Sequence, residues 1–154
     1  MSTNGEREVR LDEKVIRIVS PSSLETLKLD ITPFIATFVG IDADIVEADL
    51  ASHIRTLLSK GACYLMFVGT NSEKAHDLAD QIKIEFENDL DNTIITTWHH
   101  DDSLQEVLES ALFGACPTEG YDFAGTSYVF IPLAPLDPAQ VEVLIRQALG
   151  RLWS

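Results

Sequence analysis

Basic side chains are scarce in this sequence. It has 11 Lys and Arg against 25 Asp and Glu, a net charge of −14 over 154 residues. Residues 1–28 balance five bases against five acids, so the whole excess falls on residues 29–154. Such a field repels nucleic acid and anionic membranes, because phosphate binding depends on Lys and Arg neutralising backbone charge. It attracts a cation, a metal or a basic protein, and it also serves plain solubility.

Cysteine is rarer still. Cys63 and Cys116 make no disulfide framework. Cys63 lies in an apolar run and reads as a small buried thiol, and a reducing cytosol is the expected compartment. Cys116 lies before Pro117 near a helix end, where the dipole disfavours a thiolate. Long hydrophobic runs are missing as well. PFIATFVGI and ACYLMFVG fall far short of the ~20 residues a bilayer-spanning helix needs. The start, MSTNGEREVRLDEK, has no signal-peptide apolar region. Glycine-rich phosphate cradles are absent: GTNSE (69–73) has neither the GxGxxG nor the Walker pattern, and no GxSxG elbow occurs. No cofactor is expected.

What is present is a rhythm. With 45% hydrophobic residues the chain can bury a core. Four short apolar runs, PFIATFVG (33–40), ACYLMFVG (62–69), NTIITTWH (92–99) and TSYVFIPL (126–133), each precede a helical pattern. The helices are predicted over 45–59, 72–88, 103–115 and 138–152, with apolar residues at i, i+3, i+4 and i+7. Strands apolar throughout are those covered on both faces. The alternation predicts one α/β domain over 1–154, a three-layer, doubly wound, mostly parallel sheet of the flavodoxin-like or Rossmann-like kind. Ahead of its four βα units lies an N-terminal strand or hairpin. Residues 1–8 are expected to fray and 9–31 to form the N-terminal strand region, with KVIRIVS (14–20) a strand and LETLKLDI (24–31) a second, edge strand. Trp98, inside its strand, reads as core.

In open α/β sheets ligands bind beyond the carboxyl ends of the strands. The loops there, GIDADI, GTNSE, HHDDS and APLDP, set Asp42, Asp44, His99, His100, Asp101, Asp102 and Asp137 along one crest. Each loop also starts a helix. Asp44 with Glu47, Thr70 with Glu73, and Ser103 with Glu106 have capping-box spacing, and Asp137 precedes Pro138 as a cap precedes a first-turn proline. Most crest acids are thereby accounted for. His99 and His100 are adjacent and point to opposite faces of an extended strand end. One of them with Asp42 and Asp101 could hold a divalent metal, though no HxH, HExxH or paired CxxC spacing supports it. His53 lies on its helix's apolar stripe and reads as a satisfied, half-buried histidine, and His76 lies on a helix shoulder.

The stretch TTWHHDDSLQEVL (96–108) resembles a segment of an uncharacterised family of small bacterial proteins, in which T-T-W-H, an acidic pair and L-x-E follow an apolar strand. A Cys-containing strand ending in Gly lies about 30 residues upstream in that family, as in CYLMFVG (63–69) here. The resemblance covers about residues 60–135 and implies a bacterial source without a named activity. The order FVGTNSEKAHDLADQI, SLQEVLESAL, SYVFIPLA is also similar to TIR-like and related nucleotide-handling domains. Enzymatic members of that group cleave nicotinamide nucleotides with a helix glutamate, whose counterpart here is Glu142. Asp102 stands where their glycine is expected, and the tryptophan–cysteine–glutamate pattern is missing.

These residues support two functional readings. The favoured one is a non-enzymatic, cytoplasmic bacterial binding protein, such as an immunity or inhibitor protein or a defence-system subunit, that engages a basic protein partner. Its binding residues would be Asp77, Asp80, Glu85, Glu87 and Asp89, with Tyr121 and Phe123 as aromatic anchors. No catalytic residue, metal, nucleic acid or membrane enters that reading, and a homo-oligomer is compatible with it. The alternative is a TIR-like or Rossmann-like enzyme or sensor that binds a nucleotide or divalent metal at the crest. It would use His99, His100, Asp101 and Glu142 in catalysis, or Asp42, His99 and Asp101 as metal ligands.

Overall fold

The computed structural model describes residues 6–11, 14–28, 34–41, 47–86, 94–100, 106–107, 127–133 and 136–153. Its strands are β1 (Glu6–Leu11), β2 (Lys14–Val19), β3 (Phe34–Val39), β4 (Ala62–Val68), β5 (Ile95–His99) and β6 (Ser127–Pro132). They form one sheet in the order β1-β2-β6-β3-β4-β5. β1 runs antiparallel to β2, and every other pairing is parallel. The helices among the described residues are α1 (Glu47–Ser59), α2 (Ser72–Lys83) and α3 (Pro138–Trp153), with one 3-10 turn at Pro21–Ser23.

The layers reflect the direction of travel across the sheet. From β2 to β3, β4 and β5 the chain moves one way, and right-handed crossovers then keep the connections on one face. On that face Leu24 and Leu27, Leu50, Ile54 and Leu57 of α1, and Ala75, Ala79 and Ile82 of α2 cover Phe34, Phe38, Leu65 and Phe67. From β5 the chain returns to place β6 between β2 and β3, and the same handedness puts the later segments on the opposite face. There Val107 and Val141, Ile145, Ala148 and Leu149 of α3 cover Ile16, Ile18, Ile35, Met66, Tyr128 and Phe130. Three layers result, as the alternating pattern predicts. This is the expected three-layer fold of the flavodoxin-like or Rossmann-like kind, with the last strand inserted between β2 and β3.

The central strands are buried on both faces, every residue of β3 and β6 included. Phe38 and Phe67 oppose one another in register and stack with centroids 5.3 Å apart. No described helix is long and apolar enough to cross a membrane.

Three expectations need correction. Residues 6–8 do not fray: they pair with Arg17–Val19 in the β1–β2 hairpin. Residues 24–28 are no edge strand: a turn follows Pro21–Ser23, and Leu24 and Leu27, three apart, both enter the core. Trp98 is not core. It is 45% exposed, because β5 is the outermost parallel strand and only part of its length is covered.

Candidate functional site

The carboxyl ends of β3, β4 and β5 are stitched together by the backbone. Val68 O accepts from both Gly40 N (3.0 Å) and Ile41 N (2.9 Å), Ile41 O accepts from Asn71 N (3.0 Å), and His99 O accepts from Gly69 N (3.1 Å). Gly69 makes this possible. Its φ is +143°, and a Cβ there would lie 2.4 Å from Ile41 O and 2.5 Å from Ile41 N. Only glycine allows two strand ends so close.

The switch point of the sheet lies between β3 and β6, whose onward connections lead to opposite faces. Here Leu133 N donates to Val39 O at 2.9 Å, and a Cβ on Gly40 would meet Leu136 Cδ1 at 3.1 Å. Leu136 thus packs closely over the backbone at the place where ligands sit in related architectures. Asp137, next along, is spent on capping. Its Oδ1 accepts from Gln140 N at 2.9 Å, while Gln140 Oε1 accepts from Asp137 N at 2.9 Å, a reciprocal capping box at the start of α3. The Thr70–Glu73 box is out of register: the cap of α2 is Asn71, which makes no side-chain capping bond. Ser72 opens α2 with its hydroxyl buried.

Of the other crest residues, Asp42, Asp44, Asp101, Asp102 and Ser103 lie outside the described residues, so neither the Asp42–His99–Asp101 grouping nor the first and third caps is placed. His99 ends β5 on the α3 face, its Nε2 3.4 Å from Thr97 Oγ1, and His100 is exposed in the following bend. Glu142 is far from both. It accepts from Arg7 Nη1 of β1 (3.0 Å) and from Arg146 Nε (2.8 Å), and these two arginines hold its carboxyl below the usual range. β1 and β5 are opposite edges of the sheet, five strand spacings or roughly 24 Å apart. The structure therefore does not bring Glu142 together with His99 or His100.

What does come together lies along α2 and β5. Thr96 and Trp98 are on the face of β5 that meets α2, in register with Leu65 and Phe67 of β4. The Trp98 ring packs on the His76 imidazole with centroids 4.5 Å apart. His76 Nδ1 is 3.3 Å from Asp77 Oδ1, and its Nε2 is 3.4 Å from Asp80 Oδ2. Thr96 Oγ1 donates to the other Asp80 oxygen at 2.5 Å. Lys83 Nζ bonds Ile94 O at 2.9 Å and approaches Asp80 Oδ1 at 3.9 Å. His76 and Asp80 share a helix face because they are four residues apart. The histidine is mostly covered, at 14% exposure, whereas Asp77 faces solvent at 67%. Ile84 beyond the helix end is also exposed, and Glu85 meets Arg55 of α1 at 3.4 Å.

Residues 14–145 match the family described as a domain of unknown function (DUF7684). The chain belongs to this family. That much agrees with the uncharacterised family suggested by the TTWHHDD stretch, and the family's description carries no activity. No curated protein matches the chain. The family span holds the crest and the whole α2–β5 edge but not β1, so the Arg7–Glu142 pair joins a residue outside it to one inside.

The sequence pattern placed Asp77, Asp80 and Glu85 on a binding face, and the structure sets all three on the α2 side of the sheet. Glu87, Asp89, Tyr121 and Phe123 lie outside the described residues. The pattern did not reveal the packing of Trp98 on His76. The available signal was the His76–Asp80 spacing, but the partners that give it meaning, Thr96 and Trp98, come from another element. The remaining reactive candidates are plain. Burial lowers the pKa of His53 against the pull of Asp49, and it pushes the Cys63 thiol up to about 12. Cys63 is fully covered, with Sγ 3.6 Å from Phe34 O, and is no nucleophile.

Proposed function

We propose that this protein is a non-enzymatic binding module that engages a basic protein partner along the α2–β5 edge. The observation that supports this best is Trp98. A tryptophan left 45% exposed on the outermost parallel strand, beside solvent-facing Asp77, combines an aromatic anchor with negative charge. Such anchors dominate interface energies, and surrounding charges set the association rate and its salt dependence. Ile84 is exposed beyond the end of α2, Glu85 meets Arg55 of α1, and Glu87 and Asp89 come next in the chain. The net charge of −14 selects a basic partner. An immunity or inhibitor protein facing a basic toxin, or a defence-system subunit, in a bacterial cytoplasm, is the kind of protein that fits.

The crest is the weaker candidate. Its Asp137 is committed to capping α3, Leu136 packs over Gly40 at the switch point, and Glu142 belongs to the far edge.

The test is affinity capture from the native host at low and moderate salt, repeated with Trp98→Ala and with Asp77→Lys plus Glu85→Lys. Near-stoichiometric recovery of one basic protein, lost with rising salt and in both variants, is the expected result. Capture that survives both variants, or that ignores salt, would overturn the assignment of this surface.

A further inference from the structure

We propose that the basic partner binds by adding an extended segment of its own chain as a further strand beside β5. The inference rests on the reading of the α2–β5 edge as the partner surface, and it names how that surface is used. The register of the sheet fixes which groups are on offer. His99 pairs with Val68, and its carbonyl accepts from Gly69 N at the end of β4. Backbone groups alternate along a parallel strand, so Ile95, Thr97 and His99 turn both N–H and C=O toward β4. Thr96 and Trp98 therefore direct theirs away from the sheet, and among the described residues no strand pairs with that side. Lys83 Nζ occupies the carbonyl of Ile94, just ahead of the strand, at 2.9 Å, which marks where the open stretch begins.

Exposed edge strands are ordinarily blunted by charged side chains, proline or a bulge. β1 on the opposite edge follows that rule, with four charged residues in EREVRL. β5 does not. ITTWH has no Lys, Arg, Asp, Glu or Pro, and it keeps an unbroken register with β4. The charge around it selects the occupant. Residues 84–145, on both sides of β5 in the chain, hold 12 Asp and Glu and no Lys or Arg, so they carry −12 of the net −14. A second copy of the chain would bring the same charge and be repelled, whereas a basic strand is attracted. Side chains of an added strand alternate between the faces of the sheet, so Lys or Arg at every second position fall on the α2 side with Thr96 and Trp98. There a guanidinium or ammonium group can cover the Trp98 ring, which is 45% exposed, with solvent-facing Asp77 on the neighbouring helix.

The experiment titrates the full chain by calorimetry at low salt with a blocked synthetic peptide of about seven residues, alternating Arg and Thr. A second peptide of the same sequence, N-methylated at every residue, keeps all charges and side chains but has no backbone N–H. One Arg–Thr peptide per chain is expected, with the methylated form about tenfold weaker or worse. Thr96→Pro removes an outward N–H and no bond to β4, so it should weaken the unmethylated peptide by about tenfold. Thr96→Val keeps that N–H and should bind as the parent does. Circular dichroism checks that both variants fold, and if Thr96→Pro does not, the pair of peptides decides. Equal binding of the two peptides, still weakened by Trp98→Ala, would overturn strand addition and leave the partner surface standing. Equal binding that also ignores Trp98→Ala would overturn both. No binding of either peptide up to millimolar concentration would overturn strand addition. So would dimers of the free chain that Thr96→Pro abolishes, since the edge would then belong to a second copy.

Discussion

The two edges of the sheet treat charge in opposite ways. At the β1 edge, arginines and glutamates occur in near-equal numbers and meet: Arg7 and Arg146 on Glu142, Arg17 on Glu6 and Glu8, and Arg10 on Glu8. An antiparallel strand closes that edge: Val9 is buried, Arg7, two residues earlier on the same face, reaches Glu142 of α3, and Glu8 and Arg10 share the other face. At the β5 edge, no further strand pairs with the sheet among the described residues. Carboxylates there gather around a histidine and a tryptophan. The difference tracks the sequence, whose first 28 residues are neutral while the remainder carries the whole −14. One edge is finished by a closing strand and paired charges, and the other leaves Trp98 45% exposed near solvent-facing Asp77.

The largest effect should come from breaking the junction that carries the second edge. Gly69→Ala places a Cβ against the Ile41 backbone at a positive φ, so it should cost about 2–4 kcal/mol of stability. Denaturant unfolding would check this, and a loss under about 0.5 kcal/mol would show that the strand ends separate cheaply. Next in size is Trp98→Ala, expected to leave the fold within about 1 kcal/mol yet cost about 2 kcal/mol or more in affinity for the captured basic partner. A matched loss of stability and affinity would make Trp98 a packing residue. Between the edges, Thr37 on β3 buries a hydroxyl that has no hydrogen-bond partner among the described residues. Thr37→Val should raise stability by up to about 1 kcal/mol in the same unfolding assay.

How far the sequence was legible has the same geography. The central strands and helix stripes could be read because burial there is local: Leu50, Ile54 and Leu57 repeat at helical spacing, and β3 and β6 are apolar throughout. An N-terminal strand or hairpin was legible, but each edge was misread in part, for physical reasons. EREVRL buries Val9 among charged neighbours, so its strand shows little apolar signal before β2 pairs with it. Leu27, Leu29 and Ile31 alternate as a strand would, yet among the described residues Leu24 and Leu27, one turn apart, both enter the core. Trp98 lies in an apolar run, and only the strand order reveals that the run forms an outer strand. The reciprocal cap of α3 was half visible, as Asp137–Pro138, and Gln140 completes it. The setting of His76 could not be read from its own helix, since Trp98, which packs on its ring, and Thr96, which bonds Asp80, stand about twenty residues away on β5.

The smallest effect belongs to the finished edge, and its pH dependence distinguishes charge from packing. Glu142 accepts from Arg146 and Arg7, which favours its ionised form and lowers its pKa in the folded chain. A carboxyl with a depressed folded pKa binds fewer protons than its unfolded counterpart, so its contribution is complete above the ordinary glutamate value. That contribution fades as pH falls through the ordinary and then the folded value. Arg7 and Arg146 are themselves half exposed, so solvent screens the pair and the contribution should stay under about 1 kcal/mol. Glu142→Gln should therefore be slightly less stable than the parent at neutral pH, and the gap should narrow below pH ~4.3 and shrink with added salt. A gap that held constant into acid would assign Glu142 a packing role, and the charge balance of the β1 edge would then contribute nothing to folding.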